Sequence, residues 1–135
     1  MKKTTIIIVD DHTTFRKGLK MIIQELPDVE VIAEASSGAQ FLEILKSSVP
    51  DLAFIDIRMP GISGLEATRK ALEHFPDIKI IIISMFGEVK YYEDAVSSGA
   101  KGFLLKPPTL LQIKSAYHDV MNGKTYFPAL AEVDK

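Results

Sequence analysis

Five short apolar runs, each followed by a stretch with apolar residues at helical spacing, constrain this chain more than any other feature. The runs are Thr5 to Val9, Val29 to Ala33, Leu52 to Ile55, Lys79 to Ile83 and Gly102 to Leu105. Most are continuously apolar rather than alternating, as in parallel strands covered by helices on both faces. Between them Phe15, Leu19, Ile22, Ile23 and Leu26 form one helical stripe. Phe41, Ile44 and Leu45 form a second, and Leu110, Ile113, Tyr117, Val120 and Met121 a later one. Leu65 with Leu72, and Val89 with Tyr92 and Val96, mark two weaker helices, and Pro27, Pro50, Pro76, Gly99 and Gly123 punctuate the ends. The expected fold is α/β, a doubly wound five-stranded parallel sheet of order 2-1-3-4-5 with five helices. Sheets of that kind bind ligands beyond the carboxyl ends of their strands.

With 135 residues, 47% of them apolar, the chain can bury a well-formed core but is too short for two ordinary domains. A net charge of −2 gives no electrostatic footprint for a phosphate backbone, so this stretch is not expected to bind nucleic acid. The absence of Cys removes disulfides and thiolate metal sites and agrees with a reducing cytosol. Lys2-Lys3 followed by Ile6 to Val9 resembles a short signal peptide, but the apolar run stops at Asp10-Asp11, short of the ~7–15 residues required. No apolar stretch approaches the ~18 residues of a membrane span. A soluble, cytoplasmic protein without membrane contact is expected.

The strand ends carry the chemistry. The first strand runs into Asp10-Asp11, the third into Asp56, the fourth into Ser84 and the fifth into Lys106. In a 2-1-3-4-5 sheet the first and third strands are neighbours, so three carboxylates converge on one crevice. Without compensation they repel, and one or more must take up a proton. Oxygen ligands with open water positions suit a hard divalent cation, Mg²⁺ best. Lys106 and Ser84 then supply a positive charge and a hydroxyl donor for the oxygens of a phosphoryl group on Asp56. Taken singly, an Asp or His ahead of a helix, such as Asp10 or His12, is more often an N-cap or a solvated loop residue. His12, His74 and His118 look sparse and unclustered, and Phe103 reads equally well as plain core.

Asp10-Asp11, the stretch from Ile55 through Asp56, Arg58, Met59-Pro60-Gly61 to Gly64, then Ser84, Gly99 to Phe103, and Lys106-Pro107 together resemble the receiver domains of bacterial response regulators. The match runs from about Thr5 to Gly123, and it implies the flavodoxin-like receiver fold. It implies that Asp56 takes a phosphoryl group from a histidine kinase, a stoichiometric acceptor rather than an enzyme. Self-phosphorylation and autodephosphorylation are intrinsic to that chemistry. By resemblance Asp11, Asp56 and the backbone carbonyl of Arg58 bind Mg²⁺ directly and Asp10 acts through water. Ser84 and Phe103 are then the switch pair, the ring turning inward as the hydroxyl moves to the phosphoryl oxygens, while Lys106 contacts the phosphate and the peptide before Pro107 is cis. Kinase choice is expected near Thr13, Thr14, Lys17 and Pro108.

Asp11 to Leu19 and Gly64 to Thr68 look more specifically like the NarL/FixJ subfamily of transcriptional regulators, from which Pro107-Pro108 departs. That likeness implies a receiver at 1–123 and, at 124–135, the start of a linker to an effector domain, with a new helix opening at Pro128. DNA contact would then come through a helix-turn-helix beyond this chain, and a homodimer could form on phosphorylation. The alternative is a stand-alone receiver acting through protein contacts. Two other classes fit less well. A haloacid-dehalogenase-like phosphatase needs Asp-x-Asp where this chain has Asp56-Ile57-Arg58, and a flavin module needs a phosphate-cradling loop where it has Asp10-Asp11-His12.

Overall fold

The computed structural model describes residues 2–128. Five strands and five helices alternate: β1 (Thr4–Val9), α1 (Thr13–Ile23), β2 (Val29–Ala35), α2 (Gly38–Leu45), β3 (Leu52–Asp56), α3 (Gly64–His74), β4 (Lys79–Ser84), α4 (Val89–Ser98), β5 (Gly102–Leu105) and α5 (Leu110–Met121). The sheet has the order β2-β1-β3-β4-β5, and every pairing is parallel.

Side chains alternate across the pleat and build two cores from the same runs. Ile7, Val9, Ala53, Ile55, Ile80, Ile82 and Phe103 face α2, α3 and α4. Ile6, Ile8, Phe54, Ile81, Ile83 and Leu104 face α1 and α5. The continuous apolar runs are therefore explained, since both faces of the three central strands are covered. β2 lies at an edge and is mostly half-buried. Among the described residues no helix is long and apolar enough to cross a membrane.

Helix starts follow local chemistry. The Ser37 and Ser63 hydroxyls accept the Gln40 and Glu66 N–H groups, and Thr109 and Gln112 form a reciprocal capping box ahead of α5. α5 ends in a Schellman motif: Gly123, at φ 83°, donates to the Val120 carbonyl, and Lys124 donates to Asp119.

The expected α4 stripe needs correction. Val96 is 47% and Val89 39% exposed; of the expected stripe Tyr92 is buried, and Ala95 and Ser98 join it. Small residues let α4 approach the sheet while Tyr92 stacks on Phe103 at 3.9 Å, and the Ser98 hydroxyl is satisfied by the Ala95 carbonyl. Packing against that ring outweighs two valines.

Residues after Gly123 do not leave the domain at once. Tyr126 forms a parallel bridge to Gly102, and Phe127 packs against the α2–α4 core. Pro128 is helical as expected, whereas the rest of the helix expected after it lies outside the described residues.

Candidate functional site

The carboxyl ends of the strands bring together the side chains that the sequence singles out. Asp56 ends β3 and is 5% exposed; Asp10 follows β1 and is 2% exposed. Lys106 follows β5 and reaches across both, its Nζ 2.8 Å from Asp10 Oδ2 and 3.4 Å from Asp56 Oδ2. The ammonium also lies 4.4 Å from the Phe15 ring centroid, so α1 helps to fix its position. Ser84 ends β4, and its hydroxyl accepts the Phe86 N–H at 3.0 Å.

Asp10 uses both carboxylate oxygens locally. One faces Lys106 and the other accepts the His12 N–H at 2.8 Å, a turn that aims α1 at the site. Its backbone carbonyl receives Arg16 Nη1 at 2.6 Å, and Arg16 Nε also pairs with Glu34 on β2 at 3.0 Å. Burial raises the Glu34 pKa, but hydrogen bonds from Lys20 and Arg16 outweigh it and hold the carboxyl below its usual range.

Crowding shows most at Asp56. Burial and the neighbouring Asp10 charge push its pKa up to about 6 against the partial compensation of Lys106. Asp11 Oδ1 is buried without a hydrogen-bond partner, although His12 Nδ1 lies 3.3 Å away. An orphaned oxygen within a group of carboxylates is what a hard cation would satisfy. Asp10, Asp11, His12 and Asp56 each offer a ligand atom, all within 4.8 Å of one another. The residues present therefore fit a divalent ion.

His12 is not the unclustered residue expected. It is the N-cap residue of α1 without a side-chain cap, and its ring stands 3.2 Å from Asp10 Oδ1. Adjacency to Asp10-Asp11 was the available signal. In the loop after β5, Pro107 is exposed and Pro108 is buried. The Lys106–Pro107 peptide is cis. Phe103 lies inside the core at 1% exposure.

Gly64 has a role that the motif alone does not reveal. A Cβ there would run into the Asp56 carbonyl oxygen, so only glycine lets α3 start against the acceptor strand, with Gly64 N–H donating to Ile57. The Arg58 guanidinium lies 4.1 Å from the Phe86 ring centroid and donates to the Tyr91 hydroxyl at 3.0 Å. Tyr91 and Phe86 rings are 5.6 Å apart.

This arrangement has close counterparts. The sequence description of the response regulator receiver domain matches residues 6–118. The transcriptional regulatory protein DegU of Brevibacillus brevis is 35% identical over 92% of this chain and 52% of its own length. The oxygen regulatory protein NreC of Staphylococcus epidermidis strain RP62A is 41% identical over 90% of this chain and 56% of its own. The chain thus spans about half the length of the curated relatives it matches. The solved signal receiver domain of NarL from Mycobacterium tuberculosis superimposes with a TM-score of 0.85 at 33% identity, covering 92% of this chain and all of that one. Sequence and fold agree, and the chain belongs to the response regulator receiver domain family.

Proposed function

We propose that Asp56 accepts a phosphoryl group from a histidine kinase and that the resulting change in Ser84 and Phe103 controls an attached output domain. The observation that carries this reading is a buried carboxylate at a strand end, pushed to a pKa of about 6 and facing a buried lysine. At neutral pH Asp56 is mainly ionised and can attack phosphorus. The P–N bond to the kinase histidine breaks, and the histidine nitrogen leaves with the electron pair. Lys106 stands where it can balance charge on the phosphoryl oxygens, and the Ser84 hydroxyl, which accepts the Phe86 N–H, still has its own O–H to donate to one of them.

Mg²⁺ would be held by Asp11, Asp56 and the Arg58 carbonyl, with Asp10 acting through water. When bound, the ion neutralises charge on the transferring phosphoryl group. The local engagement of both Asp10 oxygens supports its more remote role. Relatives about twice as long support a DNA-binding output domain of the NarL type.

Incubation with a small phosphodonor and Mg²⁺, followed by intact mass, tests the reading. One acid-stable, base-labile adduct per chain is expected. Continuous donor hydrolysis without an adduct would point to a phosphatase and overturn the proposal.

Arg58 and Phe86 are in contact, which gives a prediction for adduct lifetime. Both flank the approach of water to Asp56, so Arg58→Gln and Phe86→Ala should not act independently. The double variant should change the decay rate more than either single change. It should also depart from the product of the two effects by about two- to five-fold, the scale of a coupled pair of neighbours. Decay of the adduct after donor removal measures this, and strictly multiplicative effects would exclude a shared gate.

A further inference from the structure

We propose that Tyr126 and Phe127 form a latch that holds the switch aromatic, so that docking of this segment and phosphorylation of Asp56 favour the same conformation. The proposal rests on the receiver reading above. Phe103 N–H donates to the Tyr126 carbonyl at 2.9 Å, and Tyr126 N–H donates to the Lys101 carbonyl at 2.8 Å. Tyr126 is thus paired to the edge of β5 on both sides of Gly102.

The segment straddles that edge as a strand would. Tyr126 packs with the α1–α5 core and Phe127 with the opposite core, the one that contains Phe103 and Tyr92. The Schellman turn at Gly123 reverses the chain so that the segment reaches β5.

Phe103 therefore has two anchors. Its ring is stacked on Tyr92 in the core shared with Phe127, and its main-chain N–H is tied to the segment that follows α5. An undocked segment would leave the Phe103 N–H without its partner and would take Phe127 away from the core that holds the Phe103 ring. If the inward ring accompanies capture of a phosphoryl oxygen by Ser84, the latch and the phosphoryl group stabilise one state. Linkage then makes the coupling reciprocal. Tyr126 and Phe127 are positioning residues, remote from the reacting atoms.

Beryllium trifluoride with saturating Mg²⁺ serves as the phosphoryl mimic on the 135-residue chain. It should slow hydrogen exchange at the Tyr126 amide by about five-fold or more. Phe127→Ala should weaken trifluoride affinity by a comparable factor. Tyr126→Pro, which removes the N–H given to Lys101, should do the same and serves if Phe127→Ala fails to fold. A purely structural role would lower urea stability and leave trifluoride affinity unchanged. Tight trifluoride binding to the wild type with unaltered Tyr126 exchange, or wild-type affinity in a folded variant, would overturn the latch. Failure of the wild type to bind trifluoride would remove the receiver reading itself, and the latch with it.

Discussion

Asp56→Asn should abolish phosphodonor labelling and, without metal, make the protein more stable. The ionised Asp56 is a burden on the fold, because its pKa rises from 3.8 in the open chain to about 6 in the native state. A folded-state pKa above the unfolded one means that the native state binds the proton more tightly. The associated stability is complete below pH 3.8 and is lost as the pH rises through about 6. Above that window the carboxylate costs at most about 3 kcal/mol, at 1.36 kcal/mol for each unit. The asparagine cannot ionise and should escape the loss.

Urea unfolding in EDTA would measure this. The gap between variant and wild type should open between about pH 4 and 6 and stay constant above. Mg²⁺ should then narrow it by stabilising the ionised wild type. A gap independent of pH would mean that Asp56 titrates normally, and an adduct on the asparagine variant would place the acceptor elsewhere.

The residues legible in the sequence are those where chemistry and position in the fold coincide. Asp10, Asp56, Ser84 and Lys106 were each visible as a polar residue ending an apolar run, and parallel topology does the rest. Failures came where contacts depend on orientation. Val89 and Val96 looked like a buried stripe, but the face of α4 is set by the fit of Tyr92 against Phe103, which spacing alone does not carry. Tyr91 was overlooked for the same reason, since its tie to Arg58 joins residues 33 positions apart. Tyr126 and Phe127 followed a helix cap and read as a departing linker. Their attachment is through main-chain hydrogen bonds, which leave little trace in residue type. His12 was different, because its adjacency to two aspartates was in plain view and only its rarity argued against it.

Lys106→Met should also abolish efficient labelling, yet with the opposite effect on stability. The ammonium is 7% exposed and stands between Asp10 and Asp56, compensating two buried carboxylates at once. Methionine keeps an unbranched stem but removes the ammonium that faces both negative charges. Removing one partner from a buried ionic group costs about 3 to 5 kcal/mol, and the native state should answer by taking up a proton. The metal-free variant should therefore unfold at lower urea than the wild type, with the deficit shrinking as the pH falls and Asp56 takes up a proton. In the Asp56→Asn background the same substitution should cost less, since one of the two charges it balanced is gone. Labelling should slow by about 100-fold or more, the loss seen when a charge-stabilising donor is removed from a buried reaction site. These two results belong together. Slow labelling with unchanged stability in EDTA would mean that Lys106 serves the phosphoryl group alone, and that the three carboxylates are held together by something other than its charge.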